Sequence, residues 1–207
     1  MHQELNYGHD YEIRRIWRRI KMLKKWLIPV GIIIILGALL ISGYNNLVKI
    51  SEQVNGSWSE VQSKLQRRAD LIPNLVETVK GYASQEKEIF TDVAEARAKL
   101  AGAATVTDKG EADQALTGAL GRLLAISENY PQLKSDANFR ALQDELAGTE
   151  NRIATARMDY NNSVQSYNTK IKTLPTSLYA RILGFGPRDY FKPDANVENV
   201  PTVDFSK

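Results

Sequence analysis

An all-α protein with a single N-terminal membrane helix is what this sequence predicts, and three observations carry the prediction. Residues 26–44, WLIPVGIIIILGALLISGY, form an uncharged apolar run. From Leu47 to Leu174 apolar residues recur at steps of three and four, the spacing that gathers them on one stripe of a helix. No stretch alternates apolar and polar residues for long enough to build a sheet.

At about 1.5 Å of rise per residue the apolar run extends about 28 Å, close to the roughly 30 Å hydrocarbon thickness of a bilayer. It reads as one transmembrane helix anchored by Leu27, Ile32, Leu36 and Ile41, with Trp26 and Tyr44 at its ends, where amphipathic rings favour the headgroup layer. Pro29 lies in the first turn, where a missing N–H costs nothing. A cleaved signal peptide has the same order of basic and apolar regions. Here, however, 25 residues precede the run and its exit, Leu40-Ile41-Ser42-Gly43, offers no small-residue cleavage pattern. Arg14, Arg15, Arg18, Arg19, Lys21, Lys24 and Lys25 crowd the N-terminal side, against Lys49 and Lys64 in the comparable stretch beyond. That asymmetry predicts a single-pass protein of an inner (cytoplasmic) membrane, with a basic cytoplasmic leader over 1–25 and an extracytoplasmic remainder.

The formal charge of the 207-residue chain is +3, but it is unevenly placed. Seven of the 27 basic residues and only Glu4, Asp10 and Glu12 of the 24 acids precede the span, leaving 20 basic and 21 acidic residues, a net −1, after it. The basic excess therefore describes a membrane flank, attractive to anionic lipid at about 1 kcal/mol per charge. The near-neutral remainder is unsuited to nucleic acid, having little with which to neutralise phosphates. There is no Cys, and both histidines, His2 and His9, lie in the leader. Beyond the span neither imidazole nor thiol is available to move protons or hold a metal, and no glycine-rich phosphate motif occurs. No catalytic residue, metal or cofactor is expected.

The first stripe after the span is Leu47, Ile50, Val54, Trp58, Val61 and Leu65, continued by Ala69, Ile72, Val76, Val79 and Ala83, and then by Phe90, Val93 and Ala96. Pro73 permits two structures: one long helix kinked there, or a new helix capped by Asp70. Gly102–Gly110 mixes small, β-branched and turn residues and reads as a loop. A helix follows from Glu111 to about Asn129, with Leu116, Ala119, Leu120, Leu123 and Ile126 inward, ended by Tyr130-Pro131. Asn138 is the expected cap of the longest run: Phe139, Leu142, Leu146, Thr149, Ile153, Ala156, Tyr160, Val164, Tyr167, Ile171 and Leu174. It implies a helix of about 50 Å with long, coiled-coil-like partners, stopped by Pro175. The helical domain thus spans 45–175 and is up-and-down, with short links between antiparallel neighbours.

Residues 176–207 form a mostly irregular C-terminal tail. Leu178, Tyr179, Ile182, Leu183 and Phe185 suit one short amphipathic turn before Gly184, Gly186 and Pro187 break it. Tyr179, Phe185, Tyr190, Phe191 and Phe205 lie in a segment that cannot form a further long helix to bury them, which makes them a candidate assembly contact. Three destinations are open to the tail: a neighbouring copy, which is favoured, the chain's own helices, or the membrane–water interface beside Tyr44.

Several blocks carry a resemblance. They are Tyr44-Asn45-Asn46-Leu47-Val48, the run RRADLIPNLVETVKGY from Arg67 to Tyr82, ENRIATAR over Glu150 to Arg157 with Tyr160-Asn161, and Gly184-Phe185-Gly186. From about Tyr44 to Phe191 the chain resembles the bacterial LemA family. The resemblance implies an N-terminal membrane helix followed by an up-and-down four-helix bundle, in a bacterial envelope, and supplies no activity. The polar residues of the second block, Arg67, Arg68, Asp70, Asn74, Glu77 and Lys80, are the candidate interaction face. Glu150, Arg157, Asn161 and Asn168 follow at sevens and fours along the edge of the last helix's apolar seam, where such residues fix helix register more often than they do chemistry. Two function classes remain. One is a self-associating homo-oligomer that organises or shapes the envelope; the other is a sensor or adaptor that binds a membrane protease, transporter or signalling protein.

Overall fold

The computed structural model describes residues 5–192 and, among them, holds helices and no strand. The helices are α1 (Leu5–Lys80), α2 (Lys87–Gly102), α3 (Val106–Ala125), α4 (Pro131–Ser135) and α5 (Ala137–Lys172), with 3-10 turns at Ile126–Asn129 and Thr176–Leu178. The chain divides into two compact units, one ending at Val48 and one beginning at Lys49.

In the first unit α1 contains a stretch long and apolar enough to cross a membrane. Trp26, Leu27, Ile32, Leu36, Ile41 and Tyr44 are all exposed, as are Ile33, Ile34 and Ile35 between them. A continuous apolar surface of this size calls for lipid or another protein, not water.

In the second unit the core runs along α1 through Val54, Val61, Leu65, Ala69, Ile72, Leu75 and Val79. α5 lies antiparallel to it. Ser57 meets Ser163 at 2.9 Å near one end, and the Tyr82 hydroxyl donates to Asp136 at 3.0 Å at the other. α2 folds back on α1, and α3 on α2, where Arg122 pairs with Asp92 at 2.8 Å. Val93, Leu100, Leu116, Leu123, Phe139, Ile153 and Val164 close the core from these helices.

The two structures open at Pro73 resolve into one helix, since α1 continues to Lys80. Proline donates no hydrogen bond, so the carbonyl four residues back, that of Ala69, loses its partner within the helix. Arg97 of α2 supplies one, its Nε lying 3.0 Å from the Ala69 oxygen. The proline site is thereby also a helix–helix contact. Arg97→Ala is expected to lower stability by about 1–2 kcal/mol. In a Pro73→Ala background, where the Ala69 carbonyl regains a donor, the cost should be smaller. Urea unfolding of the four proteins measures the difference; equal costs in both backgrounds would show that the carbonyl is not what Arg97 serves.

Three boundaries differ from the sequence reading. α3 starts at Val106, not Glu111, because Thr105 and Asp108 form a reciprocal capping box that ends the loop at once. α5 is capped by Asp136, not Asn138; its carboxylate accepts from the Phe139 N–H at 2.9 Å. Leu174 lies beyond the end of α5 and is 75% exposed, since Lys172 is the last helical residue.

The cap has a pH consequence. The Asp136 carboxyl is held below its ordinary value, first by the Phe139 N–H and then by the Tyr82 hydroxyl. A carboxylate depressed in this way stabilises the fold above its unfolded value of about 3.9, and the contribution disappears as pH falls through the lower folded value. Melting followed by circular dichroism from about pH 5 to about pH 2 should therefore show a steeper loss for the wild-type chain than for Asp136→Asn, which caps without titrating. Parallel curves would remove Asp136 from the acid response.

Candidate functional site

Two polar systems meet on α5. The first is buried charge. Arg68, on the apolar side of α1, is 3% exposed and donates at 3.0 Å to Asp113 of α3, at 2.7 Å to Glu150 of α5 and at 2.6 Å to the Thr117 hydroxyl. Asp113 is fully buried, and its other oxygen pairs with Arg157 of α5. One carboxylate thus joins three helices. Burial pushes the Arg68 guanidinium below its ordinary value, while Glu150 pushes it back up. A groove of about 420 Å³ between α3 and α5 reaches this cluster past Leu120, Leu124 and Leu146.

The second system holds the tail. Asn161 makes two bonds to the main chain of Phe191, its amide donating to the carbonyl at 2.9 Å and its oxygen accepting from the N–H at 2.8 Å. Seven residues on, Asn168 does the same to Arg188, at 2.8 and 2.9 Å. Tyr160 and Tyr167, again seven apart, donate to the carbonyls of Asp189 and Gly186, each at 2.9 Å. A repeated Tyr-Asn pair therefore straps residues 186–191 along α5. Phe191 pins the end of the strap. It is 2% exposed, its ring lies over Gly110, and its centroid is 6.3 Å from that of Trp58. The Arg157 guanidinium, 4.7 Å from the same ring, links the strap to the buried charge. Burial also pushes the Tyr160 hydroxyl up, so it stays a donor at any physiological pH.

The family model described as LemA family matches residues 57–205, which contain both systems. The chain belongs to the LemA family. Among individual relatives, this LemA-family chain is 31% identical over 181 residues to magnetosome protein MamQ 2 of Paramagnetospirillum magneticum, covering 75% of this chain and 66% of the relative. It is 30% identical over 178 residues to magnetosome protein MamQ of Magnetospirillum gryphiswaldense, covering 73% and 65%. Protein LemA of Metamycoplasma hominis is 25% identical over 140 residues, covering 67% and 64%. The matched region thus spans about two thirds of the length of these relatives, or slightly less.

The LemA-type block beginning at Arg67 divides on folding. Arg68 leaves the candidate interaction face altogether, because it shares the apolar side of α1 with Leu65, Ala69 and Ile72. The others stay exposed: Arg67 pairs with Glu145 at 3.2 Å, Gln66 donates to Asp70 at 2.7 Å, and Lys80 pairs with Glu77 at 2.9 Å. Asn74 and Glu77 edge a shallow groove against Asn138, Ala141, Leu142 and Glu145 of α5. Of the tail aromatics, Phe191 is buried in the chain's own helices, Tyr179 and Phe185 are half-buried, and Tyr190 is 44% exposed. Phe205 lies outside the described residues. Glu150, Arg157, Asn161 and Asn168, singled out by their spacing, each hold a specific partner. The sequence reading missed Asp113, whose signal was an acid in step with Leu116, Leu120 and Leu123 on the buried stripe of α3. Among the described residues no group of His, Cys, Asp or Glu converges as a metal site.

Proposed function

We propose that this protein is a membrane-anchored, non-enzymatic scaffold that self-associates and organises or shapes a bacterial inner membrane. The strap carries this reading. The hydrogen bonds of the Tyr-Asn ladder go only to main-chain atoms of 186–191, and the same segment from a neighbouring copy fits them equally well. Exchange of an identical element between copies is a low-cost route to assembly, and anchors in one membrane plane raise the effective concentration at which it occurs. The magnetosome designation of the MamQ relatives supports a role at a membrane. The basic leader supports an N-terminus in the cytoplasm with the helical domain outside it.

Ending the chain after Pro175 tests the proposal, read by light scattering in detergent and by circular dichroism. A protein that stays helical but falls from oligomer to monomer supports it. One that unfolds assigns the strap to its own helices, and an unchanged oligomer removes the strap from assembly. A second reading, an adaptor for one membrane protein, is favoured by the exposed groove at Asn74 and Glu77. It predicts a monomer that co-purifies with a single partner.

A further inference from the structure

Between Asp159 and Asp189 the chain carries Lys170, Lys172, Arg181 and Arg188 and no acid. In the middle of this stretch the chain makes one hydrogen-bonded turn. It begins with the 3-10 bonds of Thr176–Leu178 and ends in a left-handed glycine cap: Gly184 has φ 85°, its N–H bonds the Arg181 carbonyl at 3.2 Å, and the Phe185 N–H bonds the Ala180 carbonyl at 2.9 Å. The turn has two unlike sides. Thr176 and Ala180 face inward and are each 2% exposed, whereas Leu174, Leu178 and Ile182, also four residues apart, are 75%, 69% and 84% exposed. An apolar ridge is thus exposed, flanked by Lys172 and Arg181, which are themselves exposed.

Its place in the fold says what covers it. α5 descends antiparallel to α1, with Ser163 beside Ser57. Nine further residues of α5 and eight of α1, each rising about 1.5 Å, bring Lys172 and Lys49 to the same end of the helical domain. Arg188, held by Asn168, reaches Ser51 there at 3.5 Å. The apolar run ends at Tyr44, five residues before Lys49, and five residues span at most about 18 Å however they are arranged. The ridge therefore lies at the end of the domain that the chain itself keeps near the bilayer. An apolar edge with cations beside it, in a stretch of chain that carries no acid from 160 to 188, matches the boundary between acyl chains and anionic headgroups.

We propose that residues 174–183 form a second membrane contact, in which Leu174, Leu178 and Ile182 enter the lipid interface on the domain's side of the bilayer and Lys172 and Arg181 meet anionic headgroups. The tail then has two neighbours: the turn rests on lipid and the strap on α5. This goes beyond self-association and does not depend on it.

The absence of native cysteine permits a direct test on the full chain in vesicles of phosphatidylcholine and phosphatidylglycerol. Nitroxide labels are placed at Leu178→Cys, at Ile182→Cys and, as a reference, at Thr155→Cys on the exposed side of α5. All three positions are exposed, and circular dichroism verifies that the fold is kept. Labels at 178 and 182 are expected to relax preferentially with oxygen, which partitions into lipid, and the label at 155 with a water-soluble nickel chelate. Equal access of nickel to all three overturns the proposal. Protection from both reagents, with spin–spin broadening that vanishes on dilution with unlabelled protein, overturns it in favour of a second copy covering the ridge.

Discussion

Asp113→Ala is expected to destabilise the helical domain by about 3–5 kcal/mol, because it leaves two guanidinium groups facing each other without the carboxylate that joins them. Arg68 and Arg157 reach Asp113 from different helices, and Asp113 has no exposure through which water could replace it. Glu150→Ala should cost much less, since its carboxylate is 44% exposed and its removal leaves Arg68 with Asp113 and Thr117. Replacing Arg68, Asp113 and Arg157 together by Met, Leu and Met should recover most of the loss, as apolar groups of similar volume need no partners. Urea unfolding of the full chain in detergent measures all three. A cost for Asp113→Ala no larger than that of Asp144→Ala, an exposed acid on α5, would mean that the cluster does not hold the helices together.

The strap gives the second large effect. Phe191→Ala removes a buried ring from between Gly110, Trp58 and Arg157, and should weaken docking of the tail by about 3–5 kcal/mol. Helices α1 to α5 do not pass through the strap, so the readout is local. Cleavage by trypsin after Arg188, whose main chain is bound by Asn168, follows the fraction of time the strap is open. The rate should rise about a hundredfold or more in Phe191→Ala, and by a smaller factor in Asn161→Ala or Asn168→Ala, where the ring still anchors the end. An unchanged cleavage rate in Phe191→Ala would show that the ring does not secure the tail.

Periodicity made most of this legible. The steps of three and four placed Val61, Leu65, Val93, Leu116, Leu123, Ile153 and Val164 in the core, where they are. It also set Glu150, Arg157, Asn161 and Asn168 on the edge of the seam. Periodicity names a face, however, and not what the face will meet. The partner of Arg157 lies on α3, and those of Asn161 and Asn168 are main-chain atoms of a segment with no period at all. Arg68 was misplaced because a cation in a polar run reads as exposed until a buried carboxylate is known to answer it. The boundaries at Thr105 and Asp136 turned on which of several neighbouring side chains reached an open N–H first. Such local competition leaves no trace in the longer pattern. The ridge at Leu174 escaped for a similar reason: it keeps the helical spacing of α5 after the helix has ended.

The Tyr-Asn ladder works because two different rulers share a division. Seven residues of helix rise about 10.5 Å, and three residues of extended chain cover about 10 Å, so Asn161 and Asn168 can address Phe191 and Arg188 with the same geometry. What such a device measures is length. The rungs themselves read no side chain of the strap, yet one residue inserted between Arg188 and Phe191 would put a rung out of step. An insertion of three would bring the rungs back into step one division along. In this part of the molecule spacing constrains the chain more strictly than composition does.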